Sequence, residues 1–282
     1  MPEHRLQLKS RISIVTFPNN AQFKELLALA HDLADASRGV ILPHFRKQMA
    51  VANKAGEQAF DPVTKADRAA ERAIARLIRS RAPEHGLIGE EFGQERRDAA
   101  FQWVIDPIDG TRSFITGTPM WGTLIGLLYE GAPVLGLMDQ PFTGERFWAA
   151  KSAAYTQGTA QKARRIHTRG CSRVADALMM TTTPDLFEKG AEASGFERIR
   201  REVRMTRYGG DCYAYCLLAH GLVDLVVEAG LKSYDVVALI PIVERAGGRM
   251  TTWDGRPATS GGRIVASGDP ALHDKVLKLL NR

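Results

Sequence analysis

Apolar positions change period along the chain, and each change predicts a different element. From Phe23 to Phe45 they fall at Phe23, Leu26, Leu27, Ala30, Leu33, Ala34, Val40 and Ile41, the three-to-four spacing of a helix, with Asn20 as its predicted cap. A second helix is predicted from about Ala66 to Ser80, with Ala70, Ile74, Leu77 and Ile78 on one face and arginines opposite; the intervening "AVANKAGEQAF" reads as a short hairpin or loop. From Phe101 the runs shorten to "FQWVI", "GTLIGLLY", "PVLGLMD" and "ERFWAA", parted by the turn signals "EGAP" and "PFTG", which predicts an antiparallel meander.

After a basic loop near Lys162 to Arg169 strands and helices alternate: strand "ALMMTTT", a helix near Pro184 to Ser194, strand or loop to Arg207, and helix "DCYAYCLLAHG". Strand "VDLVVEA", helix "VVALIPIVERAGG", strands "RMTTW" and "RIVASG" and helix "ALHDKVLKLL" complete the chain. Pro241 falls inside one of these helices, where its missing N–H requires either a kink or a later helix start. No internal repeat occurs, and no Pro-, Gly- or Ser-rich linker separates free domains. The pattern predicts a layered α/β architecture, with a loosely ordered extension over 1–18, a helix-plus-antiparallel-sheet half over 19–160 and an α/β half over 161–282.

At 282 residues, 44% of them hydrophobic, the chain can bury a core without disulfides or structural metal. Its longest apolar runs are too short to span a bilayer, and the N-terminus lacks the apolar segment of a secretory signal, so no membrane association is expected. Three cysteines, Cys171, Cys212 and Cys216, form no paired CxxC and fit a reducing, cytoplasmic setting; Cys212 and Cys216 share a helix face and read as buried free thiols. A formal charge of +6 suits an anionic partner. The basic stretches "KARRIHTRGCSR" and "FERIRREVRMTR" lack interleaved aromatic residues, which favours a small phosphorylated molecule over nucleic acid.

The chemistry gathers in carboxylates. In "WVIDPIDGTRSF", Asp106 and Asp109 straddle a proline at the end of an apolar run, and holding two such charges together is costly unless a cation shares them. The Gly-Thr that follows starts a helix whose N–H groups suit a phosphate. Three further acidic stretches are "DPVTKAD" (Asp61 to Asp67), "IGEEFG" (Glu90, Glu91) and "YDVVAL" (Asp235). Singly these have plain structural readings: Asp61 as a turn former, the glutamates as a solvated pair, Asp235 as a helix cap. Together, as oxygen donors without nearby His or Cys, they suit magnesium or manganese.

In this order, "DPVTKAD", "IGEE", "WVIDPIDGT", "YGGD", "YDVVAL" and "ERAGG", the stretches resemble the inositol monophosphatase superfamily from about Phe23 to the C-terminus. The resemblance implies an α+β fold, a layered α-β-α-β-α sandwich of the inositol monophosphatase and sugar phosphatase type, and a homodimer. It implies two or three Mg2+ ions, or Mn2+, held by Glu90, Asp106, Asp109, Asp235 and the carbonyl of Ile108. Asp61 and Thr111, with Glu90 beside them, are implied as the catalytic set that orients and deprotonates the attacking water, and Gly110 and Thr111 as phosphate-binding donors. The haloacid dehalogenase motif D-x-D-G-T is excluded, since here the two aspartates stand one residue further apart.

The second half departs from the inositol-type pattern. "GGDC" replaces a small-residue stretch and places Asp211 toward the leaving group, and "LKSYDVVAL" replaces a Trp-Asp stretch. Both segments resemble the histidinol-phosphate phosphatase branch. An ammonium and an imidazole need acceptors, which Asp211 and Glu228 can supply, with Gly210 and Asp235 beside them. The alternatives are a helix cap for Asp211 and a strand-end position for Glu228. The expected activity is magnesium-dependent hydrolysis of L-histidinol phosphate by in-line attack of a metal-activated water; inositol 1-phosphate or a nucleotide 3′-phosphate is the alternative substrate, and a non-catalytic polyanion binder the alternative class.

Overall fold

The computed structural model describes residues 19–48, 51–53 and 62–282; the extension over 1–18 and Asp61 lie outside the described residues. Helix α1 spans Asn20–Ile41 and α2 spans Lys65–Arg81. Asn19, not Asn20, caps α1, its side chain accepting the Gln22 N–H. The helix tightens into a 3-10 turn at Leu42–His44, earlier than Phe45: Leu42 keeps helical geometry, but Pro43 has no N–H with which to continue the helical ladder. Thr64 caps α2 by accepting from Ala66 N at 3.1 Å, while Asp67 reaches back to Thr64 N at 2.8 Å. Between these helices β1 (Val51–Asn53) and β2 (Pro62–Thr64) pair antiparallel.

The first large sheet contains β3 (Gly86–Gly89), β4 (Gly93–Glu95), β5 (Phe101–Asp109), β6 (Gly122–Tyr129), β7 (Ala132–Gln140), β8 (Glu145–Ala149), β9 (Ala154–Gln157) and β10 (Arg164–Ile166). Strands β5 to β8 follow one another antiparallel, as the meander pattern predicts; β9 and β10 extend the same antiparallel order, β10 lying in the stretch near Lys162 to Arg169 that reads as a loop because its residues are basic, while β3 adds in parallel beside β5. A short helix α3 (Thr111–Ile115) follows β5.

The second half contributes β11 (Leu178–Thr181), α4 (Ala191–Glu202), β12 (Met205–Tyr208), α5 (Asp211–Ala219), β13 (Leu225–Leu231), α6 (Ser233–Val236), α7 (Leu239–Arg245), β14 (Arg249–Thr252), β15 (Gly262–Ser267) and α8 (Pro270–Leu280). Its five strands lie in the order β12-β11-β13-β15-β14. The helix expected over 184–194 is displaced: Thr183 caps a single 3-10 turn at Pro184–Leu186, and α4 begins only after Gly190, whose φ of 103° no helix accepts. The helix expected from Val236 is split into α6 and α7. Pro241 is the third residue of α7, where an N–H has no intrahelical acceptor, so the later start accommodates it without a kink.

Apolar stripes sort these elements into five layers. Leu33 and Ala34 of α1 and Ile74 and Ile78 of α2 bury against Trp103, Ile125 and Leu137 on one face of the first sheet. The other face, through Leu124, Met138 and Phe147, packs on α5 and α7, which also cover Met180, Val226 and Ile264 of the second sheet. Phe196 and Ile199 of α4 and Leu272 and Val276 of α8 close the far face on Val227 and Val265. Each such fully buried aliphatic or aromatic side chain contributes about 1.5–3 kcal/mol. The result is an α-β-α-β-α sandwich.

One detail of this packing positions the site. Gly126 of β6 and Gly136 of β7 stand opposite each other in register, leaving a notch in the sheet surface. Residues Val237 and Ala238, between α6 and α7, occupy it: a Cβ on Gly136 would lie 1.9 Å from the Ala238 carbonyl oxygen, and one on Gly126 2.7 Å from Val237 Cγ1. The notch lets the chain lie flat on the sheet and delivers α6, with Asp235, to the end of β5.

Candidate metal centre and active site

Two residues three apart in a regular strand point to opposite faces. Strand β5 nonetheless brings Asp106 and Asp109 together, because its register against β6 shifts between them, at Pro107, which has no N–H for the ladder. Carboxylate oxygens of Asp106, Asp109 and Asp235 all lie within 4.8 Å of one another. Lys232, not Asp235, holds the cap position of α6; Asp235 is third in the helix, reaches back to Lys232 N at 2.6 Å, and also takes a place in the cluster. Glu90 sits in the turn between β3 and β4, close enough for its charge to act on Asp106. Its neighbour Glu91 turns instead toward Arg68, at 3.7 Å, so the two are not a solvated pair.

Beyond the carboxylates the backbone is closely specified. Ile108 is buried; its N–H donates to Asp106 Oδ1 at 3.0 Å, and its carbonyl accepts Thr111 Oγ1–H at 3.0 Å. Gly110 has φ 84°, and a Cβ there would meet Met120 O at 2.9 Å and Asp211 Cβ at 3.1 Å. Only glycine meets both the backbone and the space requirement. Asp109 Oδ2 accepts the Cys212 N–H at 2.6 Å, which ties the first sheet to the start of α5. Gly210 is kept small by Met180 Cε and Ala214 Cβ, each within 3.0 Å of where its Cβ would stand.

Asp211 and Glu228 converge on the same place. Gly210, not Asp211, holds the cap position of α5, and Asp211, at φ 45°, accepts from Ser113 Oγ at 3.0 Å. A non-glycine residue in that left-handed region is strained, and such strain concentrates at functional sites. Glu228 is in the middle of β13 rather than at its end, 2% exposed, and accepts from Thr182 N at 3.0 Å, Thr182 Oγ1 at 2.6 Å and Tyr215 OH at 3.0 Å. With Asp109 and Asp235 these residues line a cavity of about 90 Å3 walled by Leu186, Leu231 and Leu239. Ser113, Thr182 and Tyr215 were not singled out in the sequence; only the "TTT" after β11 and the serine after Gly-Thr hint at them.

Burial dominates the electrostatics. It pushes Asp106 and Asp109 well above the ordinary carboxylate range, with Glu90 and Asp109 adding to the shift at Asp106, and Asp211 and Asp235 at Asp109. Asp235 is raised to about 7, first by burial and then by Glu90 and Glu228. Asp211 is raised to about 6 by burial, against the opposing Ser113 and Thr182 hydroxyls, and Glu228 to about 7 by burial and by Asp211. Such a set ionises together only beside a compensating cation. Carboxylates around a backbone carbonyl, here that of Ile108, are the donors a hard divalent ion selects, so the residues present fit one. Both nearby thiols, Cys212 and Cys216, are free and buried.

Comparison with known proteins agrees with this geometry. The model of the inositol monophosphatase family matches residues 22–282. The bifunctional phosphatase IMPL2, chloroplastic, of Arabidopsis thaliana is 42% identical over 273 residues, spanning 93% of this chain and 77% of that protein. A histidinol-phosphatase of Streptomyces coelicolor is 38% identical over 262 residues, 91% and 97% of the two chains. Among solved structures, an inositol monophosphatase from Zymomonas mobilis superposes with a TM-score of 0.81 at 44% identity, covering 92% of this chain and 99% of that one. With a family match over nearly its whole length and these phosphatases as relatives, the chain belongs to the inositol monophosphatase family.

Proposed function

We propose that this phosphatase hydrolyses L-histidinol phosphate to L-histidinol and phosphate in the presence of magnesium. Glu90, Asp106, Asp109, Asp235 and the Ile108 carbonyl would hold two or three Mg2+ ions, with Mn2+ as the substitute. Such ions neutralise charge on the phosphoryl oxygens and acidify water. Thr111, its hydroxyl held at Ile108, orients the attacking water, and Asp61 accepts the proton. The N–H groups of Gly110 and Thr111 hold the phosphate in line. Phosphoryl transfer asks for little more than this positioning and electrostatic support.

The observation that carries the substrate assignment is the placing of Asp211 and Glu228 on one small cavity beside the metal cluster. The hydroxyls of Thr182 and Tyr215 are committed to Glu228, so the wall faces the leaving group mainly with acceptors. That suits an ammonium and an imidazole, whereas a polyol asks for donors as well. The Streptomyces relative named a histidinol-phosphatase supports this reading; the 44% identical Zymomonas inositol monophosphatase favours inositol 1-phosphate as the second. Asp211→Asn separates them. It is expected to raise KM for histidinol phosphate by about tenfold, the loss of one charge-assisted hydrogen bond, while sparing a phosphomonoester without an amine. Equal effects on both esters would refute the role of Asp211.

A further inference from the structure

We infer that Glu71 is a positioning residue for the metal centre, fixing the β3–β4 turn so that Glu90 faces Asp106 and thereby setting the affinity for magnesium. The inference rests on the proposed reading of Glu90 as a ligand.

Glu71 lies on α2, one turn after Asp67, and is 1% exposed. Its Oε2 accepts the N–H of Glu91 at 2.8 Å and its Oε1 that of Phe92 at 3.0 Å, the two peptide units that follow Glu90. On the other side of Glu90 stands Gly89, where a Cβ would come within 1.9 Å of Glu71 Oε1 and 2.4 Å of its Cδ. The carboxylate therefore fills the hollow that the glycine leaves and grips the turn on both sides of Glu90. Two successive N–H donors need two acceptor oxygens in one plane, which a carboxylate offers and an amide does not. A buried carboxylate is an expensive way to close a turn. Its position makes sense if the orientation of Glu90, rather than the stability of the turn, is what it serves.

The test compares wild type with Glu71→Gln, Gly89→Ala and Glu90→Gln by calorimetric titration with MgCl2, alongside the thermal midpoint without metal. Glu71→Gln and Gly89→Ala are each expected to weaken Mg2+ binding about tenfold or more, the range for partners that orient ligands. At saturating Mg2+ the KM for substrate should stay at the wild-type value. Glu71→Gln with wild-type Mg2+ affinity and only a lower midpoint would make Glu71 structural and overturn the inference alone. Unchanged affinity in Glu90→Gln would overturn the ligand reading, and the inference with it. If Glu71→Gln does not fold, Gly89→Ala decides, since it moves the same carboxylate from the other side.

Discussion

Replacing Gly136 by alanine probes the packing that brings Asp235 to the cluster. The new Cβ would stand 1.9 Å from the Ala238 carbonyl oxygen and 2.8 Å from its carbon, both backbone atoms. Carbon–oxygen contacts settle near ~3.3 Å, so the 237–238 turn must retreat by about 1.4 Å. Overpacking against backbone sits at the costly end of the usual range, about 3 kcal/mol, which in a chain of this size lowers the thermal midpoint by roughly 6 °C. Gly126→Ala meets Val237 Cγ1 at 2.7 Å and the Ala238 backbone nitrogen at 2.9 Å, smaller overlaps than at Gly136, and is expected to cost about 2 kcal/mol. Gly39 provides the control: it is exposed within α1 with nothing inside 4 Å of its Cβ position, so alanine should stabilise by about 0.5–1 kcal/mol. Differential scanning calorimetry without metal should therefore rank the midpoints Gly39→Ala, wild type, Gly126→Ala, Gly136→Ala. A Gly136→Ala midpoint at or above wild type would refute the notch as the seat of α6.

Other perturbations reach different parts of the account. Asp139 is fully buried between Arg38 and Arg146, at 2.7 Å from each; Asp139→Ala should cost about 3 kcal/mol in chemical denaturation and leave Mg2+ affinity unchanged. Glu228, raised from 4.5 to about 7, binds its proton more tightly folded than unfolded. Its contribution is therefore full below about pH 4.5 and lost as pH rises through about 7, roughly 3 kcal/mol in all. Stability measured without metal from pH 4.5 to 8 should fall more steeply in wild type than in Glu228→Gln; parallel curves would contradict the shift. Mg2+ at a hundredfold over its dissociation constant should stabilise wild type by about 2.7 kcal/mol, and Asp106→Asn should abolish most of that gain in a thermal-shift titration.

Much of this architecture was legible because period and punctuation agree. The meander from Phe101 to Ala150 shows apolar runs between clear turn signals, and both N-terminal helices carry continuous stripes. Strands β3 and β4 escaped notice, being four and three residues long and held by pairing, β3 with β5 and β4 with β3, contacts no local pattern records. Pro184 read as a helix start, yet Gly190 postpones the helix by seven residues. Among site residues, the Asp-Pro-Ile-Asp stretch announced itself through the cost of adjacent charges. Glu71 did not, since a buried helical glutamate has the spelling of a solvated one; its only signal is that it lies four residues after Asp67, beside the apolar stripe of Ala70 and Ile74. Gly126 and Gly136 were equally silent, because a glycine in a strand implies close approach without saying by what.

The most direct test of the central claim is phosphate release by the wild-type protein in MgCl2, comparing kcat/KM for L-histidinol phosphate, myo-inositol 1-phosphate and adenosine 3′,5′-bisphosphate. The account predicts a clear preference for histidinol phosphate, with activity lost on chelation of the metal. Equal or higher kcat/KM on either other ester would contradict the assignment of Asp211 and Glu228 to an amine-bearing leaving group.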